Sequence, residues 1–128
     1  QAVVREFLEA EAMPHVSGWW EHGVFPMHLV PRLGELGLLG ANLPTADGVP
    51  EVSSIAYGLI MYELERADSA LRSFASVQGA LVMYPIYTYG SEEQKRRYLP
   101  YTPRPVTGSL SLIFLKRSMS HTKLRKFG

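Results

Sequence analysis

Residues 65–76 read Glu-Arg-Ala-Asp-Ser-Ala-Leu-Arg-Ser-Phe-Ala-Ser. On a helix, Arg72 and Ser76 stand four apart and share a face, and Ser73 lies three before Ser76. Leu71, Phe74 and Ala75 then turn toward a core. The result is one guanidinium between two small hydroxyls on a strip with little bulk. A guanidinium is a planar fork that fits a carboxylate through two parallel hydrogen bonds, and neighbouring hydroxyls can donate more. The same spacing also fits an Asp68–Arg72 pair at the surface with serine as filler. Spacing leaves both readings open.

Other candidate chemistry is weaker. Gly34, Gly37 and Gly40 recur every three residues, but no strand precedes them, and the pattern is neither a phosphate-binding loop nor a dinucleotide fingerprint. Helix termination and close packing account for them. His15, His22, His28 and His121 have no metal-ligand spacing with Asp or Glu, so no metal site is expected. The chain has no cysteine, which excludes disulfides, thiolate zinc sites and a cysteine nucleophile.

These residues need elements to hold them, and the first hundred positions read as helices separated by Gly and Pro. Val4, Phe7, Leu8 and Ala12 keep helical spacing, with Pro14 beyond them. Gly18 and Gly23 bracket a looser stretch that contains Trp19 and Trp20. Pro26 suits the first position of a second helix, which runs through Leu29, Val30, Leu33 and Leu36 to a stop at Gly37. Ser53 can cap a third helix. Its apolar residues Ile55, Ala56, Leu59, Ile60 and Tyr62 cover more than half the circumference, which predicts burial against several neighbours. Asp68-Ser69 offers a break and a new cap for a fourth helix from about Ala70 to Tyr89, kinked at Pro85 and ended by Gly90. Ser91 and Gln94 have capping-box spacing and start a fifth, closed by Leu99-Pro100. Residues 1–100 are therefore expected to form an all-α bundle of about five helices.

A total of 128 residues, 46% hydrophobic and 20% charged, suits a folded domain with a real core. The net charge of +1 hides an asymmetry. Residues 1–100 carry seven Lys/Arg against twelve Asp/Glu, whereas residues 101–128 carry six basic residues and no acid. That second segment, with Tyr101-Thr-Pro-Arg-Pro105 extended and 109–115 a candidate short strand, reads as a basic, Pro-containing tail of a different kind. It lacks the interleaved aromatics of a single-strand-binding platform, so nucleic acid is not an expected partner. No apolar run approaches the ~18–20 residues that span a bilayer, and no secretory signal is expected at the N-terminus.

The run from Val52 to Pro100 resembles the N-terminal helical domain of acyl-CoA dehydrogenases, and within that family the glutaryl-CoA type most closely. Phe25-Pro26, the segment Leu33-Gly-Glu-Leu-Gly-Leu-Leu-Gly40 and Tyr89-Gly-Ser-Glu-Glu-Gln94 fit the same pattern. Arg72-Ser73 and Tyr84-Pro-Ile-Tyr87 point to the glutaryl type. The resemblance implies an FAD-dependent enzyme that removes the α and β hydrogens of an acyl thioester, converts glutaryl-CoA to crotonyl-CoA and passes electrons to electron-transfer flavoprotein. It also implies a bacterial cytoplasmic or mitochondrial-matrix setting and a homo-oligomer. The family pattern places Glu65, Arg72, Ser73 and Ser76 at the far end of the acyl pocket, where the distal carboxylate of the substrate binds. This favours the carboxylate site over the bland surface pair.

The pattern stops after Pro100. The family's flavin-contacting Gly-Leu-Thr-Glu-Pro stretch does not follow, and residues 101–128 are unrelated to it, as either a disrupted or shifted reading frame or an engineered truncation would produce. The flavin-cradling middle domain and the domain that carries the catalytic glutamate are thus expected to lie outside this chain. No catalytic base and no FAD-binding residue is assigned here. A second expectation belongs to a different class: a catalytically inert helical module that self-associates or docks on a partner through apolar surface around Ile86, Tyr87 and Tyr98.

Overall fold

The computed structural model describes residues 1–44 and 51–99, and among these there are helices and no strand. The five expected helices are all present. Helix α1 (Ala2–Glu11) buries Val4, Phe7 and Leu8 along one stripe. A 3₁₀ turn at Met13–His15 accommodates Pro14 and leads directly into α2 (Val16–His22). The Trp19-Trp20 stretch is thus helical rather than loose. The Trp19 ring, half-buried against the core, lies between the rings of His15 and His28, with centroids 6.1 and 6.0 Å away.

The second expected helix begins as a 3₁₀ turn at Met27–Leu29 and becomes α3 at Val30–Glu35. Its end is a Schellman motif. The Leu38 amide donates to the Leu33 carbonyl at 2.9 Å and the Gly37 amide to that of Gly34 at 2.9 Å. Gly37 sits at φ +67°, a conformation that glycine reaches without a Cβ penalty, and Leu33 and Leu38 are both buried across the turn.

Ser53 caps α4 (Ser54–Ala67) by accepting from the Ala56 amide at 3.2 Å. Asp68 breaks the chain and caps α5 (Ser69–Ser76). The rod then passes through a π-helical segment, Val77–Met83, into α6 (Tyr84–Tyr89). Proline has no N–H to give to the carbonyl four residues back, and its ring crowds that carbonyl. The effect of Pro85 therefore falls upstream of it, as a wider register in which the Tyr84 amide reaches the Gly79 carbonyl. Helix α7 (Glu92–Tyr98) has the complete capping box of Ser91 and Gln94. Its acids lie in the first turn and its bases in the last, as the helix dipole favours.

One core cluster joins α1, α3, α4 and α5 through Leu8, Leu29, Leu33, Leu64, Leu71 and Phe74, and the rings of Phe25 and Phe74 approach to 5.3 Å. A smaller cluster of Leu43, Met83 and Leu99, with Ile86 packed on it, ties α6 and α7 to the chain before α4. The breadth of the apolar face on α4 is only partly used. Ile55, Leu59 and Tyr62, at i, i+4 and i+7, are exposed rather than buried as expected. The basic segment 101–128, with its candidate strand at 109–115, lies outside the described residues.

The difference between the two faces of α4 is measurable. Leu64→Ala, at a fully buried position, is expected to lower unfolding free energy by about 2–5 kcal/mol in urea titrations. Ile55→Ala, on the exposed stripe, is expected to stay within about 0.5 kcal/mol. Equal losses at the two positions would contradict the described packing.

Candidate functional site

The site begins with a backbone break. Asp68 is extended, at φ −162° and ψ 123°, so α4 ends there and α5 sets off in a new direction, packed back against it. Its side chain is buried and doubly used. One carboxylate oxygen accepts from the Leu71 amide at 3.3 Å and the other from the Trp20 indole N–H at 2.9 Å. Asp68 is therefore not the partner of the Arg72 guanidinium.

That partner is Glu65, in the last turn of α4. Arg72 Nε donates to Glu65 Oε2 at 2.6 Å, and the Ser69 hydroxyl donates to Glu65 Oε1 at 2.7 Å. On an uninterrupted helix residues 65 and 72 would stand about 10 Å apart along the axis; the break at Asp68 lets the pair close. The Arg72 guanidinium, and secondly the Ser69 hydroxyl, hold the Glu65 carboxyl below its ordinary range. Both partners are substantially exposed, 38% for the Arg72 side chain and 48% for Glu65, so the pair adds little to stability. The two terminal amino groups of Arg72 make no hydrogen bond among the described residues. Ser73 and Ser76 are half-buried on the next stretch of α5, and the Ser76 hydroxyl donates to the Ser73 carbonyl at 3.2 Å. The four sequence-marked residues thus fall into a linked pair, Glu65 and Arg72, and an adjacent pair of serines.

A second charged cluster was not legible from spacing. Glu63 is completely buried, yet three side chains reach it. Arg5 donates from Nη2 at 2.6 Å and from Nε at 3.1 and 3.2 Å; Gln1 donates at 2.8 Å and Arg66 Nε at 3.1 Å. Arg66 extends the chain of charges to Glu9 at 2.9 Å. The Arg5 hydrogen bond, followed by that of Gln1, holds the Glu63 carboxyl down at about 2 against the opposing effect of burial. The available signal was that Glu63 sits on the same helical stripe as Ile60, Leu64 and Ala67, a carboxylate where apolar side chains belong. Its partner Arg5 lies 58 residues away, beyond any local pattern.

An open depression of about 420 Å³ lies over α1, lined by Gln1, Ala2, Arg5, Glu6 and Glu9, and includes none of the four marked residues. Among the described residues no three His, Asp or Glu side chains gather as a metal site, and no helix is long and apolar enough to cross a membrane.

Comparison with known proteins fits this architecture. The family model for the acyl-CoA dehydrogenase N-terminal domain matches residues 1–103. The chain belongs to that family. The crystal structure of glutaryl-CoA dehydrogenase from Mycobacterium smegmatis is similar at 44% identity and TM-score 0.72, over 80% of this chain and 26% of that one. A glutaryl-CoA dehydrogenase from the same organism, solved in complex with FADH2, gives 43% and 0.74, over 81% and 27%. The probable acyl-CoA dehydrogenase YngJ of Bacillus subtilis is 32% identical over 86% of this chain and 29% of its own length. Human mitochondrial short-chain specific acyl-CoA dehydrogenase is 31% identical over 84% and 26%. The chain spans between a quarter and a third of these relatives.

The depressed Glu63 pKa fixes a pH window. A carboxyl held at about 2 when folded and near 4.5 when unfolded stabilises the fold above 4.5, and that contribution is lost as pH falls toward 2. The thermal midpoint of the chain is expected to drop across this window. Glu63→Gln should begin lower at pH 7 and show a shallower drop; identical slopes in the two proteins would exclude Glu63 as a source of the acid sensitivity.

Proposed function

We propose that this chain is the N-terminal part of an FAD-dependent acyl-CoA dehydrogenase of glutaryl-CoA type and contributes the end of the acyl pocket that receives the distal carboxylate. The observation that carries this is the state of Arg72: anchored at Nε by Glu65, with the two-pronged terminal edge unengaged among the described residues. That edge matches a carboxylate in shape and charge. A dicarboxylic thioester gains two charge-assisted hydrogen bonds there, whereas a plain fatty chain offers the open edge no acceptor. Ser76, four residues on, shares the Arg72 face, and Ser73 lies next to Arg72 in the chain; their hydroxyls would supply further hydrogen bonds, that of Ser76 after leaving the Ser73 carbonyl.

FAD would supply the hydride acceptor for α,β-dehydrogenation. Ser53, Asp68 and Ser91 occupy the N-termini of α4, α5 and α7 with their own side chains, so these three helix starts do not fit a flavin pyrophosphate. The flavin site and the catalytic base are assigned to the part of such enzymes beyond the matched residues. Domain limits of 1–100 for the helical unit, electron-transfer flavoprotein as acceptor and a bacterial cytoplasmic or mitochondrial-matrix setting belong to the same proposal.

A titration of the 128-residue chain with glutarate and with the uncharged butyramide, followed by the Arg72 side-chain N–H resonances, tests the site. Glutarate should shift them and butyramide should not. Arg72→Lys, which keeps the charge but loses the fork, should weaken glutarate about tenfold or more. Indistinguishable responses to the two compounds would sink the carboxylate reading.

A second reading is favoured by one observation. The exposed stripe Ile55–Leu59–Tyr62, together with exposed Tyr87 and Tyr98, leaves apolar surface available for self-association or docking; Ile86 is instead half-buried on the smaller core cluster. Sedimentation velocity decides it. Oligomers that dissociate on Leu59→Lys support this reading, and a monomer at all concentrations excludes self-association.

A further inference from the structure

The Glu65 carboxylate poses a problem for any acid-binding role of Arg72. A free carboxylate beside a guanidinium prefers the bidentate arrangement on the fork, which here would occupy the edge a ligand needs. The Glu65 side chain is half-exposed. In the structure it is not on the fork: Oε1 accepts from the Ser69 hydroxyl at 2.7 Å, which holds the carboxylate where Oε2 meets Arg72 at Nε, at 2.6 Å.

We infer that Ser69 is a positioning residue: its hydroxyl tethers Glu65 on the stem side of Arg72 and so keeps both terminal amino groups open to an incoming carboxylate. Ser69 is the first residue of α5 and stands four residues, about one helical turn, after Glu65. Ser69 does not touch the ligand. It acts by denying the internal carboxylate the position that the external one must take. The inference rests on the carboxylate-site reading above, and extends it to a residue that spacing does not mark as a ligand.

The test uses the 128-residue chain, with Ser69→Ala and the conservative Ser69→Thr, and glutarate as the probe. Two signals are read by NMR: hydrogen exchange of the Arg72 terminal N–H groups, and glutarate affinity. In Ser69→Ala the terminal N–H groups should exchange more slowly, as Glu65 swings onto them, and glutarate should bind about threefold to tenfold more weakly. Ser69→Thr keeps the hydroxyl and should restore both. A general loss of structure in Ser69→Ala would speed exchange instead, the opposite sign, and would overturn the inference. So would an alanine variant equal to the parent in both signals. Altered exchange with no glutarate binding even in the parent would uphold the tether and overturn the carboxylate site itself.

Discussion

The pairing of Glu65 with Arg72 depends on the extended backbone and buried carboxylate of Asp68. A helix break between two packed helices leaves amides without partners at the start of the second, and burying them unpaired would be costly. Asp68 meets the Leu71 amide with one oxygen and uses the other to hold the Trp20 indole, so the same side chain starts α5 and ties α2 to it. The direction in which α5 leaves this cap sets the separation of Glu65 and Arg72. With a continuous helix in its place, those side chains would lie two turns apart.

The two charged clusters on α4 play different parts. Glu63 is fully enclosed, so its charge requires donors, and Arg5, Gln1 and Arg66 supply them; this cluster fastens α1 to α4 and leaves little capacity for a ligand. The Glu65–Arg72 pair is partly exposed, contributes little to stability and leaves two of the three guanidinium nitrogens unengaged among the described residues. A charged group that the fold needs little for its own stability is free to serve binding. On this ground Arg72, rather than the more heavily bonded Arg5, is the candidate for recognising an acid.

Local physics made much of this legible in advance. Ser53, Asp68 and the Ser91–Gln94 box lie where capping chemistry demands them, and Gly37 ends its helix because the turn needs a left-handed residue. What spacing could not supply was tertiary. Arg72 pairs with Glu65 and not Asp68 because the Asp68 side chain folds over its own helix start, which no i, i+4 count reveals. The partners of Glu63 come from the far end of the chain. Helix α2 was obscured by Gly18 and by aromatic residues of modest helix propensity, yet packing of Trp19 outweighs both. On α4 the breadth of the apolar arc reported how much surface wants covering, whereas Ile55, Leu59 and Tyr62 remain in solvent.

The most direct measurement is a crystal structure of the chain with glutarate bound. The expected result is one ligand carboxylate in bidentate contact with the two terminal nitrogens of Arg72, at about 2.7–2.9 Å, while Nε remains on Glu65. Glutarate seated instead in the depression beside Gln1 and Arg5, with the Arg72 fork facing water, would contradict the account.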